Sequence, residues 1–133
     1  MSHPAQKRIL VIDDSALSRS VLQEALEKKG FRVTLAENGE KGVTLVLQDA
    51  PDLILMDVVM PELNGWETCL RIRKAALSKA IPIVIMTSKD TPQDMLQSFE
   101  VGADEFISKP VALDELFNTI NQLLSSEKFS NKS

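Results

Sequence analysis

With 133 residues, 44% of them hydrophobic and 26% charged, the chain has room for one domain with a proper core and little room for a second. The net charge of −4 argues against a general grip on nucleic acid, which needs a basic face, and the lone Cys69 excludes an internal disulfide and suits a reducing compartment. No apolar run approaches the ~20 residues of a membrane span, and no apolar signal core follows "MSHPAQKR", so a cytoplasmic protein with no membrane partner is expected.

In chain order, a disordered segment 1–7 is expected first. "RILVI" at 8–12 is a short β-branched run that stops at Asp13 and Asp14. Leu17, Val21, Leu22, Ala25 and Leu26 share one helical face, and Gly30 stands where a helix would end. "FRVTL" at 31–35 alternates apolar and polar residues, as a half-exposed edge strand does. Val43, Val46 and Leu47 mark a second helix, and "LILM" at 53–56 a buried strand ending at Asp57. Trp66, Cys69, Leu70 and the apolar residues from Ile72 to Leu77 mark a third helix. "PIVIM" at 82–86 is the fourth strand, followed by Thr87 and Ser88. Thr91 can cap the fourth helix, Pro92 suits its first position, and Gly102 ends it after Met95, Leu96, Phe99 and Val101. "EFIS" at 105–108 precedes Lys109 and Pro110. Leu113, Leu116, Phe117, Ile120, Leu123 and Leu124 form the stripe of a fifth helix. The domain is expected over 8–124, with a polar tail at 125–133 in which Phe129 can pack back.

Five strands alternating with five helices imply right-handed crossovers and a parallel sheet covered on both faces. The fold class is α/β, a flavodoxin-like (βα)5 doubly wound sandwich with strand order 2-1-3-4-5. Its crevice lies at the carboxyl ends of strands 1 and 3, where the winding reverses.

The central strands all deliver polar residues to that rim: Asp13 and Asp14, Asp57, Thr87 and Ser88, and Lys109. Each has a plain alternative. Asp14 or Ser15 can cap a helix, Thr87 can be a loop hydroxyl, and Lys109 can be a solvated side chain. Asp57 resists such a reading, because Pro61 and Gly65 set the next helix several residues on; it is expected exposed at its strand end. Three neighbouring carboxylates repel unless a cation sits among them, and an oxygen-only set suits a hard divalent ion such as Mg²⁺. A carboxylate nucleophile, Mg²⁺, a lysine and a hydroxyl together describe phosphoryl transfer to an aspartate.

Four segments, "VIDDS", "ILMDVVMPELNG", "IVIMTS" and "ADEFISKP", occur in this order on the expected strands. Together they make the chain closely resemble the receiver domain of two-component response regulators, from about Arg8 to Leu124. The resemblance implies a stand-alone, CheY-like phosphoacceptor switch rather than a classical enzyme, catalysing only its own phosphoryl transfer and dephosphorylation. Asp57 would receive the phosphoryl group from a sensor histidine kinase or a His-containing phosphotransfer protein. Asp14, Asp57 and the Val59 backbone carbonyl would bind Mg²⁺ (or Mn²⁺) directly, and Asp13 through water. Lys109 would pair with Asp57 and then with the phosphoryl group. Thr87 and Phe106 would be the switch residues, and Pro110 would follow a cis bond. Val59 and Lys89, two residues beyond Asp57 and Thr87, would tune dephosphorylation.

Phe106 departs from the frequent tyrosine, which removes any hydroxyl-mediated signal. Because the chain ends soon after Leu124, output is expected through docking of a downstream protein on the face of the fourth helix, fifth strand and fifth helix, or through phosphorelay. Arg71, Arg73, Lys74 and Lys79 read as a solvated helix end rather than a nucleic-acid site. Cys69 reads as a packed helix residue, His3 as an unpartnered terminal residue, and Trp66 as a packing residue at a helix start. Two further functions stay open: an aspartyl-phosphate phosphohydrolase, disfavoured because "DDS" lacks a D-x-D nucleophile motif, and a constitutive docking module. A flavin site is disfavoured by the acidic rim.

Overall fold

The computed structural model describes residues 6–60, 63–75 and 81–125. His3, Pro61, the continuation of the third helix through Leu77, Lys79, and the tail beyond Ser125 with Phe129 lie outside the described residues. The described elements are β1 (Arg8–Ile12), α1 (Ala16–Lys28), β2 (Arg32–Ala36), α2 (Gly39–Gln48), β3 (Leu53–Met56), α3 (Gly65–Ala75), β4 (Ile83–Thr87), α4 (Pro92–Glu100), β5 (Glu105–Ser108) and α5 (Leu113–Leu124). The strands form one parallel sheet in the order β2-β1-β3-β4-β5. The expected fold class is therefore correct, and the alternating segment is indeed an edge strand.

The sheet separates two apolar layers. On one face Leu10, Ile12, Ile54, Met56, Ile83 and Ile85 pack with Val46, Cys69 and Ile72 from α2 and α3. On the other, Ile9, Val11, Leu53, Leu55, Val84 and Met86 pack with Leu22 and Leu26 of α1 and Leu116 and Ile120 of α5. Successive residues of β1, β3 and β4 thus face opposite layers that are both dry. That is why these strands read as unbroken apolar runs instead of alternating ones.

Two strands start one residue later than expected. Phe31 does not enter β2 because its N–H closes α1: it donates to Leu26 O at 3.2 Å while Gly30 N–H donates to Glu27 O at 3.0 Å. This terminus requires a left-handed residue, and Gly30 supplies it at φ +95. In β4, Pro82 has no N–H for the ladder, whereas Thr87 pairs with Ser108. Thr87 is therefore the last strand residue and not the first of the loop.

The expected apolar stripes were too wide. In α1 only Leu22 and Leu26 are buried, Ala25 is half-buried, and Leu17 is 74% exposed. Leu47 in α2, Leu70 in α3 and Leu113 in α5 also face outward. Except at Val101, which is buried as expected, the pattern in α4 is inverted. Its buried side chains are Asp94 and Ser98, while Met95, Leu96 and Phe99 are 39%, 53% and 45% exposed. The basic cluster after α3 also needs correction at Arg73. Its guanidinium is not solvated but donates to Gly102 O and Ile81 O and pairs with Asp104 at 2.8 Å, tying α3 to the amino ends of β4 and β5.

Candidate functional site

The register of β1 and β3 sets Ile12 beside Met56, so Asp13 and Asp57 leave their strands side by side. Asp57 N–H donates to Ile12 O and Asp13 N–H to Ala36 O, both at 3.1 Å, which carries the ladder one step past the strand ends. On the other side Lys109 N–H donates to Thr87 O at 3.0 Å. Four strand ends, those of β1, β3, β4 and β5, thereby hold Asp13, Asp57, Thr87 and Lys109 along one rim, and the Lys109–Pro110 peptide is cis.

The centre is a lysine bridging two carboxylates. Lys109 Nζ donates to Asp57 Oδ2 at 2.9 Å and to Asp13 Oδ2 at 3.0 Å. The remaining oxygens are also occupied: Asp57 Oδ1 accepts from Val59 N–H at 3.0 Å, and Asp13 Oδ1 from Ser15 N–H at 2.9 Å. Arg19 adds a bond from its guanidinium to Asp13 O at 2.7 Å. Contrary to expectation, Asp57 is not exposed: it is 7% accessible, and Asp13 is fully buried. Burial of two anions is tolerable here because each keeps a cation and a backbone donor. Burial alone would lower the pKa of Lys109, but the hydrogen bonds it donates to Asp57 and Asp13 and the charges of those carboxylates outweigh it and raise it above 10.5.

Of the capping alternatives, Ser15 takes the role for α1, accepting from Ser18 N–H at 3.1 Å. Asp14 stays on the exposed rim. Gly65 is required where α3 begins: its N–H donates to Val58 O, and a Cβ there would stand 2.4 Å from Asp57 O. The loop after Asp57 thus lies directly against the helix, and any larger residue would displace it.

Thr87 is fully buried, and its Oγ1 accepts from Lys89 N–H at 3.1 Å. Phe106 is half-buried against the layer formed with α2 and α3. Val59 is exposed. Lys89 Nζ pairs with Asp94 Oδ1 at 3.1 Å and stands 5.5 Å above the Trp66 ring. Trp66 Nε1–H donates to Ser98 Oγ at 2.9 Å, and Ser98 Oγ–H to Asp94 O at 3.0 Å. These partners escaped sequence reading. The Thr91–Asp94 capping box is legible as a spacing. The pairing of Asp94 with Lys89, and of Ser98 with Trp66 from 32 residues away, is not.

The donor set suits a hard divalent ion by its chemistry, since it offers carboxylate and carbonyl oxygens alone. Among the described residues no three His, Cys, Asp or Glu side chains are gathered closely enough to hold a metal. The expected set of two carboxylates and the Val59 carbonyl does not require such a cluster, because Mg²⁺ commonly keeps waters and takes only one or two carboxylates.

A doubly wound five-stranded sheet with a lysine-bridged carboxylate pair at its carboxyl edge defines the receiver class of signalling domain. The response regulator receiver domain family matches residues 9–121, and the chain belongs to this family of two-component signalling switches. It is 43% identical over 118 residues to Protein PilH of Pseudomonas aeruginosa, covering 89% of this chain and 98% of PilH. It is 36% identical to the response regulator MprA of Mycolicibacterium vanbaalenii, spanning 88% of this chain but half of that protein. Among solved structures, a CheY-like receiver domain from Methanospirillum hungatei superposes with TM-score 0.87 at 25% identity, over 93% of this chain and 98% of that one. The receiver domain of sensor histidine kinase PA1611 from Pseudomonas aeruginosa, solved with magnesium coordinated in its active-site cleft, superposes with TM-score 0.84 at 27% identity. That match covers 92% of this chain and all of the other. No helix among the described residues is long and apolar enough to cross a membrane.

Proposed function

We infer that the chain is a phosphoacceptor switch in which Asp57 receives a phosphoryl group from a histidine kinase or a His-containing phosphotransfer protein. The observation that carries this reading is the Lys109 bridge to Asp57 and Asp13 at 2.9 and 3.0 Å. One lysine already holds the nucleophile's charge, and the same ammonium can follow that charge onto a bound phosphoryl group. In the transfer, an Asp57 oxygen attacks phosphorus and the bond from phosphorus to the donor atom breaks. The electron pair leaves with the donor. Lys109 then loses one carboxylate partner and gains a phosphoryl oxygen.

Asp14, Asp57 and the Val59 carbonyl would hold Mg²⁺, with Asp13 acting through water. The ion supplies neutralisation of the charge gathering on the phosphoryl oxygens. Thr87 would turn its hydroxyl toward the new oxygens, giving up the bond it accepts from Lys89 N–H. Phe106 would follow it inward from its half-buried position. Val59 and Lys89 would set how water reaches the acyl phosphate. The docking surface for a downstream protein is the face of α4, β5 and α5, supported by the exposed Met95, Leu96 and Phe99. The site serves transient self-modification, not turnover of a released product.

The test is intact mass after incubation with acetyl phosphate and Mg²⁺. A labile gain of about 80 Da is expected on the wild type and none on Asp57→Asn. An unlabelled wild type, or equal labelling of the variant, would overturn the assignment.

A further inference from the structure

The rim carries two lysines in opposite situations. Lys109 lies on the two site carboxylates. Lys89 begins beside Thr87, whose Oγ1 accepts its N–H, yet its ammonium is drawn onto α4. There Asp94 Oδ1 holds it at 3.1 Å, and the Trp66 ring lies 5.5 Å below. Asp94 is itself fixed: Oδ2 takes the Thr91 N–H and hydroxyl, and its carbonyl takes the Ser98 hydroxyl that Trp66 also bonds. Burial would raise the Asp94 pKa, but the bonds from Thr91 and Lys89 and the lysine's charge hold it below 3.8, so Asp94 is a carboxylate at neutral pH.

A phosphoryl group adds up to roughly two negative charges at the end of β3, where Lys109 and a bound Mg²⁺ already answer the carboxylates of Asp13, Asp14 and Asp57, so a further cation has charge left to meet. When the Thr87 hydroxyl turns toward that group, its bond with Lys89 N–H is lost, and with it one of the three ties on this residue. We propose that Lys89 is a parked second cation for the phosphoryl group, and that Asp94, with Trp66, is the positioning residue that keeps it away from Asp57 until Thr87 turns. The inference rests on the phosphoacceptor reading of Asp57. In the resting state the parked charge leaves the mouth less attractive to anionic donors; in the phosphorylated state its departure removes one of the polar ties that hold α4.

The experiment compares the rate constants for labelling by acetyl phosphate in the wild type, Asp94→Asn, Lys89→Met and the double variant, at low and high salt. Releasing Lys89 brings a full charge toward a dianion, so Asp94→Asn should label about two to five times faster at low salt, with the gain shrinking at high salt. In the Lys89→Met background the same change should have no effect. An equal gain in both backgrounds, or no gain in either, overturns the proposal, because the effect would then lie in the helix cap or nowhere. Emission of Trp66, the single tryptophan, provides a readout that needs no Asp94 variant. It should change on labelling of the wild type and not of Lys89→Met; an unchanged emission in a labelled wild type overturns the release. Absence of any label on wild-type Asp57 removes the phosphoacceptor reading itself, whereas normal labelling with additive variants removes this inference alone.

Discussion

Helix α5 meets the sheet through Leu116 and Ile120, both fully buried in an apolar layer. Helix α4 buries Asp94 and Ser98 against Trp66, Lys89 and Thr91, sets Val101 at its end into the apolar core, and turns Met95, Leu96 and Phe99 outward. The two contacts differ in how they fail. Apolar burial contributes about 1.5–3 kcal/mol per large side chain, depends little on direction and has no alternative partner in water. The Trp66–Ser98 hydrogen bond is worth about 1 kcal/mol net, depends on geometry and can be exchanged for water. A helix held in the second way can shift by trading bonds, while a helix held in the first must open a cavity to move. The fold therefore places a helix held largely by polar ties next to β5, and a helix held by apolar burial on the layer shared with α1.

The largest effect that would test this contrast is expected at Ile120. Ile120→Ala should cost about 2–5 kcal/mol, seen as a lower urea midpoint at unchanged slope. A cost below 1 kcal/mol would mean that α5 is not the anchored helix. Ser98→Ala should cost only about 1 kcal/mol by leaving the Trp66 N–H to water, while speeding hydrogen exchange in α4 well before α5. Uniform exchange in the two helices would remove the distinction.

Acid should loosen α4 selectively. The folded pKa of Asp94 is depressed, so its contribution is fully present above 3.8 and is lost as pH falls through the lower folded value. Trp66 emission should report that step, while the apolar contacts of α5 carry no such titration. Lys109 behaves oppositely: its folded pKa is raised, so its contribution is present below 10.5 and is lost as pH rises through the higher folded value. The smallest change is expected at Leu96, 53% exposed. Leu96→Ser should leave stability within about 0.5 kcal/mol and lower affinity for whatever protein docks on α4, as measured by titration calorimetry with that partner.

The positions of Asp13, Asp57, Thr87 and Lys109 were legible because each follows or ends an apolar strand, and parallel strands share one carboxyl edge. The Schellman terminus at Gly30 and the cap at Thr91 were legible for the same local reason, since they are settled by residues within one helical turn. Arg73 was misread because its partners, Gly102 and Asp104, lie about thirty residues away in sequence. The burial of Asp57 was misread because strand-end exposure depends on what covers the crevice, here the Lys109 side chain arriving from β5.

Helical periodicity establishes which residues share a face of α4; it does not say which face meets the sheet. The tertiary structure turned Asp94 and Ser98 inward, since a polar face can be buried wherever partners satisfy its hydrogen bonds, and Trp66, Lys89 and Thr91 do so. The sequence by itself determined the strand order and the identity of the groups at the carboxyl edge, because apolar patterning and strand-end chemistry are local. Only the folded chain decided which of those groups are buried, which cation each carboxylate holds, and which helix is held by polar rather than apolar contacts, because such pairings are made between residues that no local pattern connects.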